Sequence, residues 1–140
     1  MFQRNYKVKG EDVNDFMVMQ NAAFLKYSSK LLDTFLHVNG FTGHKLNKQK
    51  VGLEKKNDVI HQYKPLLFTQ HFSIALQFRD LFVTKNTMVV DIHFFDAKNV
   101  LTTTITRELF WFDYENWQTI APPKSILKYF KQENELRKVS

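Results

Sequence analysis

Residues 22–38 constrain this chain more than any other stretch. Phe24, Tyr27, Leu31, Phe35 and Val38 recur at steps of three or four, and Leu25, Leu32 and Leu36 widen the same side. A stripe of that period and width belongs to an α-helix buried along much of its length. Asn39-Gly40 is the expected stop, because both residues tolerate the left-handed conformation that closes a helix, and Asn21 is the expected N-cap. Nearly everything downstream is β in character, so one helix has to be covered by strands. The pattern specifies an α+β domain with an antiparallel sheet.

The strands read as follows. Residues 2–9 alternate apolar and polar and form a short first strand. Residues 10–20 are the loop before the helix, and 41–50 a polar connection after it. Strand character resumes at 51–55, passes a turn or bulge at Lys56-Asn57-Asp58, continues over 59–63 and stops at Pro65. Phe72, Ile74, Leu76 and Phe78 alternate with Ser73, Ala75, Gln77 and Arg79, the pattern of a half-buried strand. Thr84-Lys85-Asn86 is a hairpin turn into a strand carrying Met88, Val90, Ile92 and Phe94. Residues 101–112 are the last long strand, with a β-branched Thr102-Thr103-Thr104 run. Pro122-Pro123 leads into a C-terminal helix that packs through Ile126, Leu127, Tyr129 and Phe130. No repeat or second domain breaks the chain, so 1–140 is read as one domain.

Composition narrows the function classes. With 15% aromatic residues the chain packs a core and is not disordered. It has no Cys, which removes disulfides and thiolate chemistry and suits a reducing cytoplasm. No apolar run approaches the ~18 residues of a membrane span, and no signal peptide is visible. The net charge of +6 favours anionic ligands such as coenzyme A, or serves solubility alone. The lysines are scattered apart from a modest cluster from Lys45 to Lys56, and without an Arg-rich helix or an RNP-like motif they argue against nucleic acid. His37, His44, His61, His71 and His93 show no zinc spacing, and there is neither a G-x-S-x-G elbow nor a phosphate-gripping glycine loop. No metal or cofactor is expected.

Three local patterns, in order along the chain, resemble the 4-hydroxybenzoyl-CoA thioesterase-like branch of the hot-dog superfamily. The family segment D-x-D-x-x-G-H-V-N-N-A-x-Y-L is matched by Asp12 through Leu25, with the ten-residue step from its catalytic Asp to the helix aromatic kept as Asn14 to Phe24. A strand ending in Tyr-x-Pro is matched by Tyr63-Lys64-Pro65. An Asp turn followed by Ile and Pro is matched by Asp113 and Ile120-Ala121-Pro122. The resemblance covers about residues 6–130. It implies a hot-dog fold, an antiparallel sheet wrapped around one long helix with a short helix at the C-terminus. It implies acyl-CoA or acyl-carrier-protein thioesters as substrates, and a homodimer or homotetramer with sites between subunits. Two departures stand out: Asn14 occupies the catalytic carboxylate position, and Met17-Val18 replaces the Gly-His pair. Asn at this place is similar to what the enediyne polyketide thioesterases carry.

Thioester hydrolysis needs an activated water and a donor for the developing oxyanion. The resemblance puts Asn14, Asp15 and Asp12 at the first task, although Asx side chains in a loop also cap backbone N–H groups. An amide can orient water but cannot take its proton. The helix start supplies backbone N–H groups around Ala22, Ala23 and Phe24, with the positive end of the helix dipole behind them. Phe16, Met17, Met19 and Tyr63 form either an acyl pocket or an interface core. Arg79, Lys85, Lys55 and Lys56 are the expected phosphate contacts of coenzyme A. Ser28 and Asp33 lie on the helix, where a second thioesterase branch carries a carboxylate, and an exposed helix position is the other reading of Asp33. Two readings remain open: a thioesterase, and a non-catalytic acyl-thioester binding protein.

Overall fold

The computed structural model describes residues 2–82 and 86–139, with side chains described as far as Glu133. The long helix forms as its periodicity requires. α1 spans Asn21–Val38 and buries Ala23, Phe24, Tyr27, Ser28, Leu31, Leu32, Phe35 and Leu36. Its cap position is taken by Gln20, not Asn21, and no side chain caps it. Val38, expected on the buried stripe, is exposed. Asn39 closes the helix by donating its backbone N–H to Phe35, and Gly40 follows at φ 90°.

Five long strands curl around this helix: β1 (Phe2–Lys7), β2 (Val51–Gln62), β3 (His71–Phe82), β4 (Thr87–Asp96) and β5 (Leu101–Asp113). They pair antiparallel in the order β1-β3-β4-β5-β2. A short β6 (Gln118–Ile120) pairs with the end of β5. Asp113 turns the chain between them by accepting hydrogen bonds from the N–H groups of Glu115 and Asn116. This is the hot-dog arrangement. Edge-to-face ring pairs fasten helix to sheet: Phe24 meets Phe94 at 4.9 Å and Tyr27 meets Phe72 at 5.2 Å. The last helix, called α3 here, spans Lys124–Val139 and seats Phe130 at 4.7 Å from Phe35. No helix among the described residues is long and apolar enough to cross a membrane.

Two expectations are corrected. The 41–50 connection contains a helix, α2 (Gly43–Gln49), capped by Thr42, whose hydroxyl accepts from the N–H of Lys45. Its apolar content is one residue, Leu46, too little for a periodic signal. β3 is buried on both faces over Phe72–Leu76, not half-buried, because Ser73 and Ala75 are small and lie between β1 and β4. The turn at Thr84 and Lys85 falls outside the described residues.

The turn or bulge expected at Lys56-Asn57-Asp58 is a bulge, and it has a consequence for the core. Lys55 pairs with Leu109 and Asn57 with Glu108, so Lys56 is the extra residue. An inserted residue shifts the side-chain phase of a strand. Leu53 and Lys55 face inward before it, and Asp58 and Ile60 after it, opposite Arg107 and Ile105. Arg107 is 2% exposed, and its guanidinium grips Asp58 through two bonds of 2.7 and 3.1 Å. It also donates to the Ser29 hydroxyl at 2.9 Å. One buried cation thereby joins β5, β2 and α1.

Breaking a buried pair leaves a charge without compensation, at a cost of about 3–5 kcal/mol. Asp58→Ala should lower urea-unfolding stability by that amount. The double variant Asp58→Leu/Arg107→Met, which removes both charges, should recover most of the loss.

Candidate active site at the start of the central helix

The segment before α1 is a small hairpin. Val13 bridges Met19, and the N–H of Asn14 donates to the carbonyl of Val18. The Asn14 side-chain oxygen accepts from the N–H groups of Phe16 (2.9 Å) and Val18 (3.2 Å). This is an Asx turn, and it fully engages the oxygen while leaving the amide NH2 as the outward group. Met17 sits at φ 63°, a left-handed conformation at the place where the family motif has Gly. The hairpin leans on the β2–β3 connection, where Val18 bridges Leu67 and Phe68 donates its N–H to Met17.

Asp12 does not have the open carboxylate a base requires. It is 1% exposed; one oxygen accepts from the backbone N–H of Lys9 (3.0 Å) and the Tyr27 hydroxyl (2.7 Å), the other from Lys26 (3.0 Å). Burial pushes its carboxyl up, but the bonds from Tyr27, Lys9 and Lys26 outweigh burial and hold it below the usual range. Burial, and then the bond to Asp12, raise the Tyr27 hydroxyl. Asp12 is the anchor that ties the loop to α1, which fits the capping reading and not the catalytic one. Asp15 is exposed at the hairpin turn and accepts no hydrogen bond among the described residues.

The helix start is open, one residue earlier than expected. Ala23 and Phe24 both donate their N–H groups to the Gln20 carbonyl. The N–H groups of Asn21 and Ala22 have no acceptor among the described residues, and both residues are exposed. Of the expected donors only Ala22 stays free, joined by Asn21.

The apolar candidates separate. Phe16 is 84% exposed, and Met17 and Tyr63 are exposed with it, whereas Met19 is a core side chain at 3%. Met19 cannot line a pocket, because the alternation of the hairpin turns it inward beneath α1. The phosphate candidates are not gathered either. Arg79 stands at a β3 bulge beside Asp91, 3.6 Å away, on the outer face of the sheet. Lys55 points toward α1 and pairs with Asp58 at 3.1 Å. Lys56 is exposed at the β2 bulge, and Lys85 lies outside the described residues. Ser28 is buried and bonds back to the Phe24 carbonyl.

The sequence offered Asp33 and Lys55 singly but not the polar cluster to which they belong. Ser29, Asp33, Glu54, Lys55 and Arg107, with five leucines, line a pocket of about 280 Å³ between α1, α2, β2 and β5. Burial raises the Asp33 carboxyl, and Arg107 opposes that rise. The available signal was the inward phase Ile105-Arg107-Leu109, in which one position is charged.

Two outcomes follow from the loop. A depressed carboxyl stabilises the fold fully above its unfolded value of about 3.9, and the effect disappears as pH falls through the folded value. The stability difference between wild type and Asp12→Asn should therefore be constant above about pH 5 and shrink below pH 4 in urea titrations. Relief of a left-handed side chain is worth about 1–3 kcal/mol, against about 0.5–1 lost to glycine entropy. Met17→Gly should thus raise Tm by about 3 °C.

A model of the thioesterase-like superfamily matches residues 8–130. No curated protein matches the chain in sequence. Among solved structures, a hypothetical protein from Staphylococcus aureus in complex with CoA superposes with a TM-score of 0.85 at 13% identity, over 95% of this chain and 85% of that one. A gentisyl-coenzyme A thioesterase gives 0.79 at 20% identity, over 91% and 98%. A 1,4-dihydroxy-2-naphthoyl-CoA thioesterase from Synechocystis gives 0.81 at 11%, over 93% and 95%. At these identities the likeness is one of fold. The family match spans nearly the whole chain, and this protein belongs to the thioesterase-like superfamily.

Proposed function

We propose that the protein is an acyl-CoA thioesterase that holds the thioester carbonyl at the start of α1. The observation that carries this reading is the pair of N–H groups on Asn21 and Ala22 without an acceptor among the described residues, at the positive end of an 18-residue helix. A water placed by the 13–19 hairpin attacks the carbonyl carbon. Its proton passes to the exposed Asp15 carboxylate, because the Asn14 amide can only orient it. The negative charge that gathers on the oxygen is taken by the two N–H groups. Collapse expels the thiolate, which takes the proton back from Asp15 and leaves as the thiol, and the carboxylic acid product gives its own proton to solvent and departs as a carboxylate. Phe16, Met17 and Tyr63 cover the acyl chain. Edge strand β2 pairs with its counterpart to form a homodimer, covering backbone groups that would otherwise invite aggregation. The protein acts in the cytoplasm.

One observation favours a second reading, an acyl-thioester binding protein without turnover. The Asn14 oxygen is spent within its own turn, and Asp12 is buried. Saturable acyl-CoA binding without thiol release would establish it.

Free-thiol release from a panel of acyl-CoAs tests the enzyme. Proline is tolerated at the first position of a helix and lacks the N–H. Asn21→Pro should therefore cut kcat by about 10²–10³-fold. Asn14→Asp keeps one oxygen for the Asx turn and frees the second as a base, so it should raise kcat by up to about 10²-fold. Rates equal to the uncatalysed reaction for every acyl-CoA would sink the enzyme reading.

A further inference from the structure

The positive charge of this chain is not evenly spread. Residues 44–56 hold five lysines against one glutamate, so they carry four of the six net charges, with His44 beside them. Folding turns the first three outward. α2 has no buried side chain, and only Leu46 is half-buried. Lys45 and Lys48, three residues apart, are neighbours on the helix surface. Lys50 closes the helix at φ 56°, exposed beside them. Lys45 lies over the Phe41 ring at 4.9 Å. None of the three forms an ion pair among the described residues. Behind them, Leu36, Phe41 and Leu46 line a groove of about 510 Å³ between α2 and the C-terminal half of α1.

We propose that the α2 face, through Lys45, Lys48 and Lys50, is the docking surface for an acidic carrier protein that presents the acyl group as a carrier-borne thioester. The proposal rests on the thioester reading above and adds a carrier-borne donor beside coenzyme A. Its basis is charge complementarity. These cations are exposed on and just after α2 and line neither of the pockets beside it. They therefore suit a broad acidic protein surface better than the compact phosphates of a nucleotide, which need convergent donors. The exposed positions His44, Lys45, Asn47, Lys48 and Gln49 include no apolar anchor for a membrane. They offer neither Arg nor an aromatic platform for nucleic acid.

The position is suitable as well. α2 lies at the far end of α1, about 21 Å along the helix from Ala22 to Leu36. α1 and β2 run antiparallel: Ser29 meets the Arg107–Asp58 pair, while Leu36 shares a pocket with Leu53. In the homodimer proposed above, a two-fold axis pairing the β2 edges antiparallel would bring α2 of one subunit toward the start of α1 in the other. A carrier protein docked there delivers its arm to the open N–H groups.

The test uses a fluorescent acidic acyl carrier protein bearing an amide-linked acyl chain, which cannot be hydrolysed. Wild type should bind it saturably, with affinity falling as salt rises. Lys45→Glu/Lys48→Glu should weaken it by at least about ten-fold while thiol release from acyl-CoA stays within about two-fold. No binding by wild type, or equal binding by the double variant, would overturn the proposal. So would a parallel loss of acyl-CoA turnover, which would assign the lysines to coenzyme A phosphates. Lysine-dependent binding to anionic vesicles or RNA in place of the carrier would overturn it as well. The two readings fail separately: a chain that binds the carrier yet hydrolyses nothing sinks only the enzyme, and one that hydrolyses acyl-CoA but ignores the carrier sinks only this surface.

Discussion

The structure depends on the need of α1 to bury apolar surface on more than one side. Ala23 and Phe24 at its start and Phe35 and Leu36 near its end are all buried. A flat sheet covers only one stripe of a helix, so strands must curl to cover a face this wide. The phase of every neighbouring strand follows, since Phe72, Ile74 and Leu76 on β3 and Val90, Ile92 and Phe94 on β4 must point at the helix. The antiparallel order also leaves β2 at an edge, paired with β5 alone.

Against that apolar interior the Arg107–Asp58 pair is an exception with a local cause. The extra residue at Lys56 moves Asp58 into the inward phase, opposite Arg107. Without the shift Asp58 would face outward and a buried guanidinium would lack its partner. Bulge and ion pair are therefore one device, which couples the edge strand to the helix through Ser29. Asp12 does similar work at the other end of the helix face, where Lys9, Lys26 and Tyr27 converge on its carboxylate.

The loop before α1 shows how one substitution changes chemistry without changing shape. Either Asn or Asp can accept the two N–H bonds of the 14–18 turn. The remaining group differs, a donor in Asn and an acceptor in Asp, so the fold tolerates Asn14 while the proton transfer has to involve another group. Met17 likewise keeps a left-handed backbone where glycine adopts it without strain.

Much of this was legible in the sequence. The α1 stripe, the strand alternation and the Lys56 irregularity carry their own periodicity, and the motif from Asp12 to Leu25 pointed to the loop that folds against the helix start. Short-range patterns report only which residues share a face. They missed α2, whose seven residues are held by a Thr42 cap and not by an apolar stripe. They placed Met19 at a pocket when its alternation put it in the core, and grouped Arg79 with Lys55 although the sheet separates them. Tertiary structure alone decided which carboxylate is buried, which N–H groups stay free and which charges meet. Those outcomes depend on distances between segments far apart in the chain, as with Arg107 and Ser29, and no local pattern encodes such distances.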